Sequence, residues 1–212
     1  MAARRTATTL LLLVLLTSCA GTAGPEPGRG SGPPPTTASP TPTGEPTGDP
    51  TDAAWVQLMI PMDEQALVLL DLAAREAAGP RLRSWAARLR TEHAVELAEL
   101  RRLRDLMGLP DTDPHRGHDM PGMVTVQDLD DARAARGGAF GTLLVAQIHD
   151  HLRQSAEVSR AEVSAGTRAE ARERAGDLVT ARGGQLAALA ALCAGRPTDV
   201  PEPFACPSDH PV

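Results

Sequence analysis

Four side chains with soft or borderline lone pairs crowd one short stretch, HRGHDMPGM, which runs from His115 to Met123. It holds two of the chain's six histidines and two of its six methionines. The order is His-x-x-His followed by Met-x-x-Met, with Gly117, Pro121 and Gly122 between them. Imidazole suits Cu(II) and thioether suits Cu(I), whereas hard ions such as Ca or Mg gain little from either donor. The expected metal ligands are therefore His115, His118, Met120 and Met123, and the expected ion is copper. The plain alternative is a surface loop whose methionines pack onto the fold.

The remaining histidines offer less. His149 and His151 are two residues apart, which on a regular helix turns them roughly 200° from each other, so they cannot chelate one ion together. His93 lies between Leu89 and Leu97 at helical spacing and reads as a core histidine with its hydrogen bonds satisfied. A di-iron bundle needs Glu-x-x-His on two helices, because those positions project together toward the metal. No histidine here has a Glu three residues before it. Ser84, Ser155, Ser159 and Ser164 fall in helical segments without an evident base, and no glycine-rich phosphate cradle follows a strand. The chain is not expected to be an enzyme.

The elements that must position these groups are helices. From Asp52 to Gly195 Ala, Leu, Arg and Glu dominate, and apolar residues recur at spacings of three and four. Segments are expected over about 52–78, ended by Gly79-Pro80, and over 81–107, ended by Gly108 and Pro110. A third covers 128–165 with a break at Gly137-Gly138, and a fourth covers 167–194. Sliding the second segment onto the fourth by 89 places pairs Leu89 with Leu178, Leu97 with Leu186, Leu100 with Leu189 and Leu103 with Leu192. A slide of 88 lays Ile60 on Ile148 and Asp63 on His151. Two repeated helical hairpins joined by one longer crossover make an all-α, antiparallel four-helix bundle. His151 shares a face with Leu144, Ile148 and Ser155, so it should meet Asp63 across the bundle. A buried His–Asp hydrogen bond is expected there ahead of metal binding, which leaves Asp63 and His151 as secondary metal candidates.

The N-terminus reads as an address. Arg4 and Arg5 precede an apolar run from Leu10 to Leu16 that is too short to span a bilayer, so residues 1–18 are expected to be a signal peptide. Leu16-Thr17-Ser18-Cys19 resembles the lipobox of bacterial lipoproteins, in which Cys19 would carry the lipid. That implies a protein anchored in a membrane on the outer face of the cytoplasmic membrane or elsewhere in the cell envelope. Residues 19–51 are Pro, Thr, Gly and Ser with almost no apolar content and read as a disordered tether. Residues 52–195 form the domain and 196–212 a tail. Cys193 and Cys206 can pair in an oxidising compartment and pin that tail to the last helix. The net charge of −6 argues against nucleic acid as a partner.

WVQLMIPMDEQALVLLDLA, RLRTEHAVELAELRRL, the HRGHDMPGM linker and LLVAQIHDHLRQSAEV together resemble the bacterial ferritin-like family known as domain of unknown function 305. The resemblance runs from about Asp52 to Ala194, and its most specific element is Met59-Ile60-Pro61 followed by Gln65-Ala66. It implies a His-His pair on the first helix, repeated on the third, and metal handling that includes copper in some members. Here the first pair is Met62-Asp63 and the second is Asp150-His151. The expected function is a non-catalytic, lipid-anchored copper-binding protein of the envelope. The alternative is a bundle that has lost metal binding and presents an acidic helical face to another envelope protein.

Overall fold

Four long helices and one short one make up most of the described residues. In the computed structural model the described residues are 49–77, 79–194 and 204–207, so the expected signal peptide, Cys19 and most of the expected tether and tail lie outside them. The helices are α1 (Pro50–Glu76), α2 (Pro80–Leu106), α3 (Val126–Ala134), α4 (Gly137–Ala165) and α5 (Ala169–Ala194). No strand occurs among the described residues, and no helix there is long and apolar enough to cross a membrane.

Local chemistry sets the helix ends. Asp49 caps α1 by accepting from the Thr51 N–H at 2.7 Å, with Pro50 at the first turn, where its missing N–H costs nothing. Gly79-Pro80 stops one helix and starts the next. The third expected segment is two helices. Thr125 and Asp128 form a reciprocal capping box that starts α3 early, and α4 begins after the turn at Arg136, with Gly137 at φ +54°.

The hairpins α1/α2 and α4/α5 are antiparallel through their short connections. Contacts across the bundle fix the rest. Trp55 on α1 donates to Ser159 on α4, and Asp63 faces His151, so α1 and α4 run in opposite directions. Glu99 pairs with Arg174 and Glu96 with Arg182, so α2 and α5 do too. Asp52, at the start of α1, accepts from the Thr167 and Arg168 N–H groups at 3.0 Å each and so caps α5 from a different helix. The Cys193–Cys206 disulfide pins the tail, and Phe204 is buried beside it in the core.

The core has two apolar clusters. One is built around Leu69, Leu70, Trp85, Phe140, Leu144 and Ile148, the other around Trp55, Met59, Leu97, Leu100, Ala175 and Leu178. A layer of buried polar side chains, contributed by all four long helices, lies between them.

Candidate metal centre

The polar layer is made of Asp63 (α1), His93 and Glu96 (α2), His151 and Ser155 (α4), and Arg182 and Gln185 (α5). Asp63, His93, His151 and Arg182 are each 0 % exposed. One helical turn brings the His93 ring over its own backbone, where Nδ1 lies 3.1 Å from the Leu89 carbonyl oxygen. His151 Nδ1 lies 3.3 Å from the Gly122 carbonyl oxygen. A carbonyl only accepts, so in both rings Nδ1 carries the proton and donates. Each Nε2 therefore holds a lone pair, and the two Nε2 atoms face each other at 3.1 Å. Asp63 Oδ1 is 3.6 Å from His151 Nε2, and Asp63 Oδ2 has no hydrogen-bond partner.

The Glu96 carboxyl, pushed up to about 8, stands beside Asp63 and can share a proton with it, but the two opposed ring lone pairs in the buried layer still favour a cation. A proton between the rings is one answer, but burial and then the nearby Arg182 charge hold His93 well below its ordinary range, and the same two causes lower His151 to about 3. A metal ion is the other. With metal–nitrogen bonds of about 2.0–2.1 Å, a 3.1 Å separation of nitrogens corresponds to a ligand angle of roughly 100°, suited to neighbouring positions on a tetrahedral or tetragonal ion. The oxygen and nitrogen donors of Asp63, His93 and His151 all lie within 4.8 Å of one another. Each ring's committed Nδ1–H is the outer support that orients a metal-binding histidine.

Arg182 completes the layer. Its Nη1 donates to Glu96 Oε2 at 2.9 Å and to Gln185 Oε1 at 3.1 Å, and its Nε donates to Ser155 Oγ at 2.6 Å. Nη2 donates to Glu96 Oε1 and, at 3.3 Å, to Asp63 Oδ1. Burial works against the guanidinium charge, but Glu96 and Asp63 outweigh it and hold the Arg182 pKa above its ordinary value. Burial, followed by the neighbouring Asp63 carboxylate, pushes Glu96 up to about 8, and burial also raises Asp63.

The residues singled out in the sequence are distributed unevenly. Asp63 and His151 meet as the 88-residue slide requires, but 3.6 Å is no hydrogen bond. The expected bond fails because the His151 proton is on Nδ1, committed to Gly122, leaving Nε2 nothing to donate. His149 is half-buried with Nδ1 3.4 Å from Asp150 Oδ1, away from the cluster as the two-residue spacing requires. In the linker, the His115 and His118 rings lie edge to face with centroids 6.2 Å apart. Met123 is 4 % exposed within the Trp55 cluster, and Met120 packs partly buried against it. The two thioethers thus gain from apolar burial, while the imidazoles stand nearer solvent. The linker also reaches the buried cluster directly, through the Gly122 carbonyl.

Sequence reasoning missed the roles of His93, Glu96, Arg182 and Gln185. A signal was present: the same 89-residue slide that aligns the leucines lays His93 on Arg182 and Glu96 on Gln185. The cluster is thus built from repeat-related positions.

Comparison with known proteins agrees with this architecture. A family described as "Domain of unknown function (DUF305)" matches residues 52–193. A DUF305 protein from Streptomyces coelicolor, described as secreted, superposes with a TM-score of 0.60 at 19% identity, over 68% of this chain and 93% of that one. A DUF305 fragment from Deinococcus radiodurans gives 0.63 at 15% identity, over 70% and 99%. CopM in its Cu(II)-bound form gives 0.57 at 18% identity, over 68% and 96%. None of the curated proteins matches the chain. At these identities the likeness is one of fold.

Proposed function

The chain belongs to the DUF305 family, and from that premise we propose that it is a non-catalytic, extracytoplasmic metal-binding protein that holds one ion at Asp63, His93 and His151. The observation that carries this reading is the pair of Nε2 lone pairs facing each other at 3.1 Å, with both Nδ1 protons committed to carbonyls. Two imidazoles and a carboxylate are borderline-to-hard donors, which favours Cu(II) and Zn(II) over Cu(I); the affinity order of divalent ions favours Cu(II). A fold neighbour characterised with Cu(II) bound and another described as secreted support both parts of the reading. So does the N-terminal resemblance to a lipoprotein signal, which would tether the protein to a membrane through Cys19.

Two rivals have an observation each. The facing rings of His115 and His118 favour a second, surface set that includes Met120. The 3.3 Å contact from Arg182 to Asp63 favours a purely structural polar layer in a bundle that docks to another envelope protein.

The test is a titration of the purified chain with Cu(II), and separately Zn(II), against a competing chelator. The expected result is one tight site, weakened by His93→Ala or His151→Ala beyond the roughly 10–100-fold that loss of an outer support costs. His115→Ala/His118→Ala should leave it intact. Tight binding lost only in the linker variant moves the site to the linker, and no binding at all leaves the structural reading.

A further inference from the structure

An ion bound among three fully buried side chains must have a way in. The bundle is closely packed between α1 and α2, between α4 and α5, and between α1 and α4, but α2 and α5 meet sparingly. On that side Ala181, Gly184 and Ala188 of α5 are too small to fill the space, and a side chain added at Gly184 would meet nothing within 4 Å. The result is a groove of about 640 Å³ between the two helices. Four carboxylates, Glu92, Glu96, Glu99 and Asp177, line it against two guanidiniums, Arg88 and Arg174. With Glu96 pushed up to about 8 and Glu99 paired with Arg174, the groove keeps a small excess of negative charge, carried by Glu92 and Asp177 against Arg88.

The groove ends one residue short of the metal ligands. Glu96 and Gln185 form part of its lining, 6 % and 8 % exposed respectively, and both accept from Arg182, whose other nitrogen donates to Asp63. Gln185 Nε2 in turn donates to Glu92 Oε2 at 3.0 Å on the exposed rim. Glu92, Gln185, Arg182 and Asp63 thus form one continuous line of hydrogen bonds from solvent to the centre.

We propose that the α2/α5 groove is the cation's entry route, and that the Glu92–Gln185–Arg182 line is the latch that sets the rate of passage. The inference rests on the metal-binding reading above. The Gln185 side chain bonds to both Glu92 and Arg182, and so the pair holds in place the guanidinium that separates the groove from Asp63. Loosening the line lowers the barrier in both directions. Uptake and release then accelerate together and the affinity stays put.

The experiment is stopped-flow mixing of the full chain with Cu(II) salt, followed by quenching of tryptophan fluorescence, since Trp85 lines the groove. Release is read separately into excess chelator. Gln185→Ala should speed both by about fivefold or more, the factor that one hydrogen bond makes in a rate, with Kd unchanged. Glu92→Ala, on the exposed rim where folding is not at stake, should act in the same direction. Asp71→Ala removes a carboxylate from the α1/α2 side, where it pairs with Arg90, and should change neither rate. Rates in Gln185→Ala and Glu92→Ala equal to wild type overturn the route, as does a change in Kd that matches the change in one rate alone. Failure of the wild-type chain to take up Cu(II) overturns the metal reading and the route with it.

Discussion

Arg182→Met is the substitution whose two effects have opposite signs. The guanidinium is fully buried and donates to Glu96, Gln185, Ser155 and Asp63. Methionine fills much of the same volume but leaves two buried carboxyl groups without their cation. Breaking a buried pair in this way costs about 3–5 kcal/mol. For a domain of this size each kcal/mol moves the melting temperature by about 2–4 °C, so a fall of roughly 6–20 °C is expected. Adding Glu96→Gln to the same chain should recover about half of it, because the second carboxyl no longer needs a counter-charge. Metal affinity should move the other way. Arg182 Nη2 sits 3.3 Å from Asp63 Oδ1 and competes with any ion for that carboxylate. A unit charge some 6 Å from a divalent ion, at an effective dielectric near 20, opposes binding by several kcal/mol; relaxation reduces this to about 1–2 kcal/mol, or roughly tenfold in Kd. Thermal unfolding followed by circular dichroism, with Cu(II) titration of the same sample at low temperature, reads both quantities. A variant that melts within 2 °C of wild type, or one that binds the ion more weakly, refutes the reasoning.

Three further outcomes follow from other parts of the structure. Burial, with Asp52 beside it, raises Glu162 from 4.5 to about 8, so its proton contributes stability that is complete below about pH 4.5 and lost as pH rises through about 8; chemical denaturation at pH 6 and pH 9 should show a loss in wild type that is smaller in Glu162→Gln, the remainder belonging to Glu96, which burial also pushes up to about 8. Gly122 has φ +73°, and a Cβ there would overlap Gln154 and stand 2.9 Å from the Asp150 carbonyl oxygen; Gly122→Ala should cost at least about 1–2 kcal/mol and, by shifting the carbonyl that holds His151, weaken metal binding about 10–100-fold. Reducing the Cys193–Cys206 bond, which spans a sequence separation of 13, should cost about 3 kcal/mol and lower the melting temperature measured with and without reductant.

The helices were legible because their signals are local. Proline, glycine and capping side chains act within a turn, and the ends at Glu76, Leu106, Ala165 and Ala194 fall close to the stops read from the sequence. The division of the third segment was less legible, because Thr125 and Asp128 commit α3 to start ahead of the apolar pattern. Partnership across the bundle is a different matter. Periodicity says which face a residue lies on, and it placed His93 and His151 inward, but it does not say what meets them there. Arg182 and Glu96 were harder still, since a charged residue in an Ala/Leu/Arg/Glu helix is ordinarily solvated. Only the repeat carries that information. Its slide of 88 puts Asp63 opposite His151, and its slide of 89 puts Arg182 where the first hairpin has His93. The repeat thus gives the polar layer two related halves. The first hairpin supplies Asp63 and His93, the second His151 and Arg182, and Asp63 reaches across to both groups of the second, 3.6 Å from His151 and 3.3 Å from Arg182. A histidine at 182, as at the related position 93, would turn a lone pair toward Asp63 where the guanidinium now donates. Arginine there is a fixed internal cation supplied by the chain itself, which makes Asp63 the group that Arg182 and any bound ion compete for.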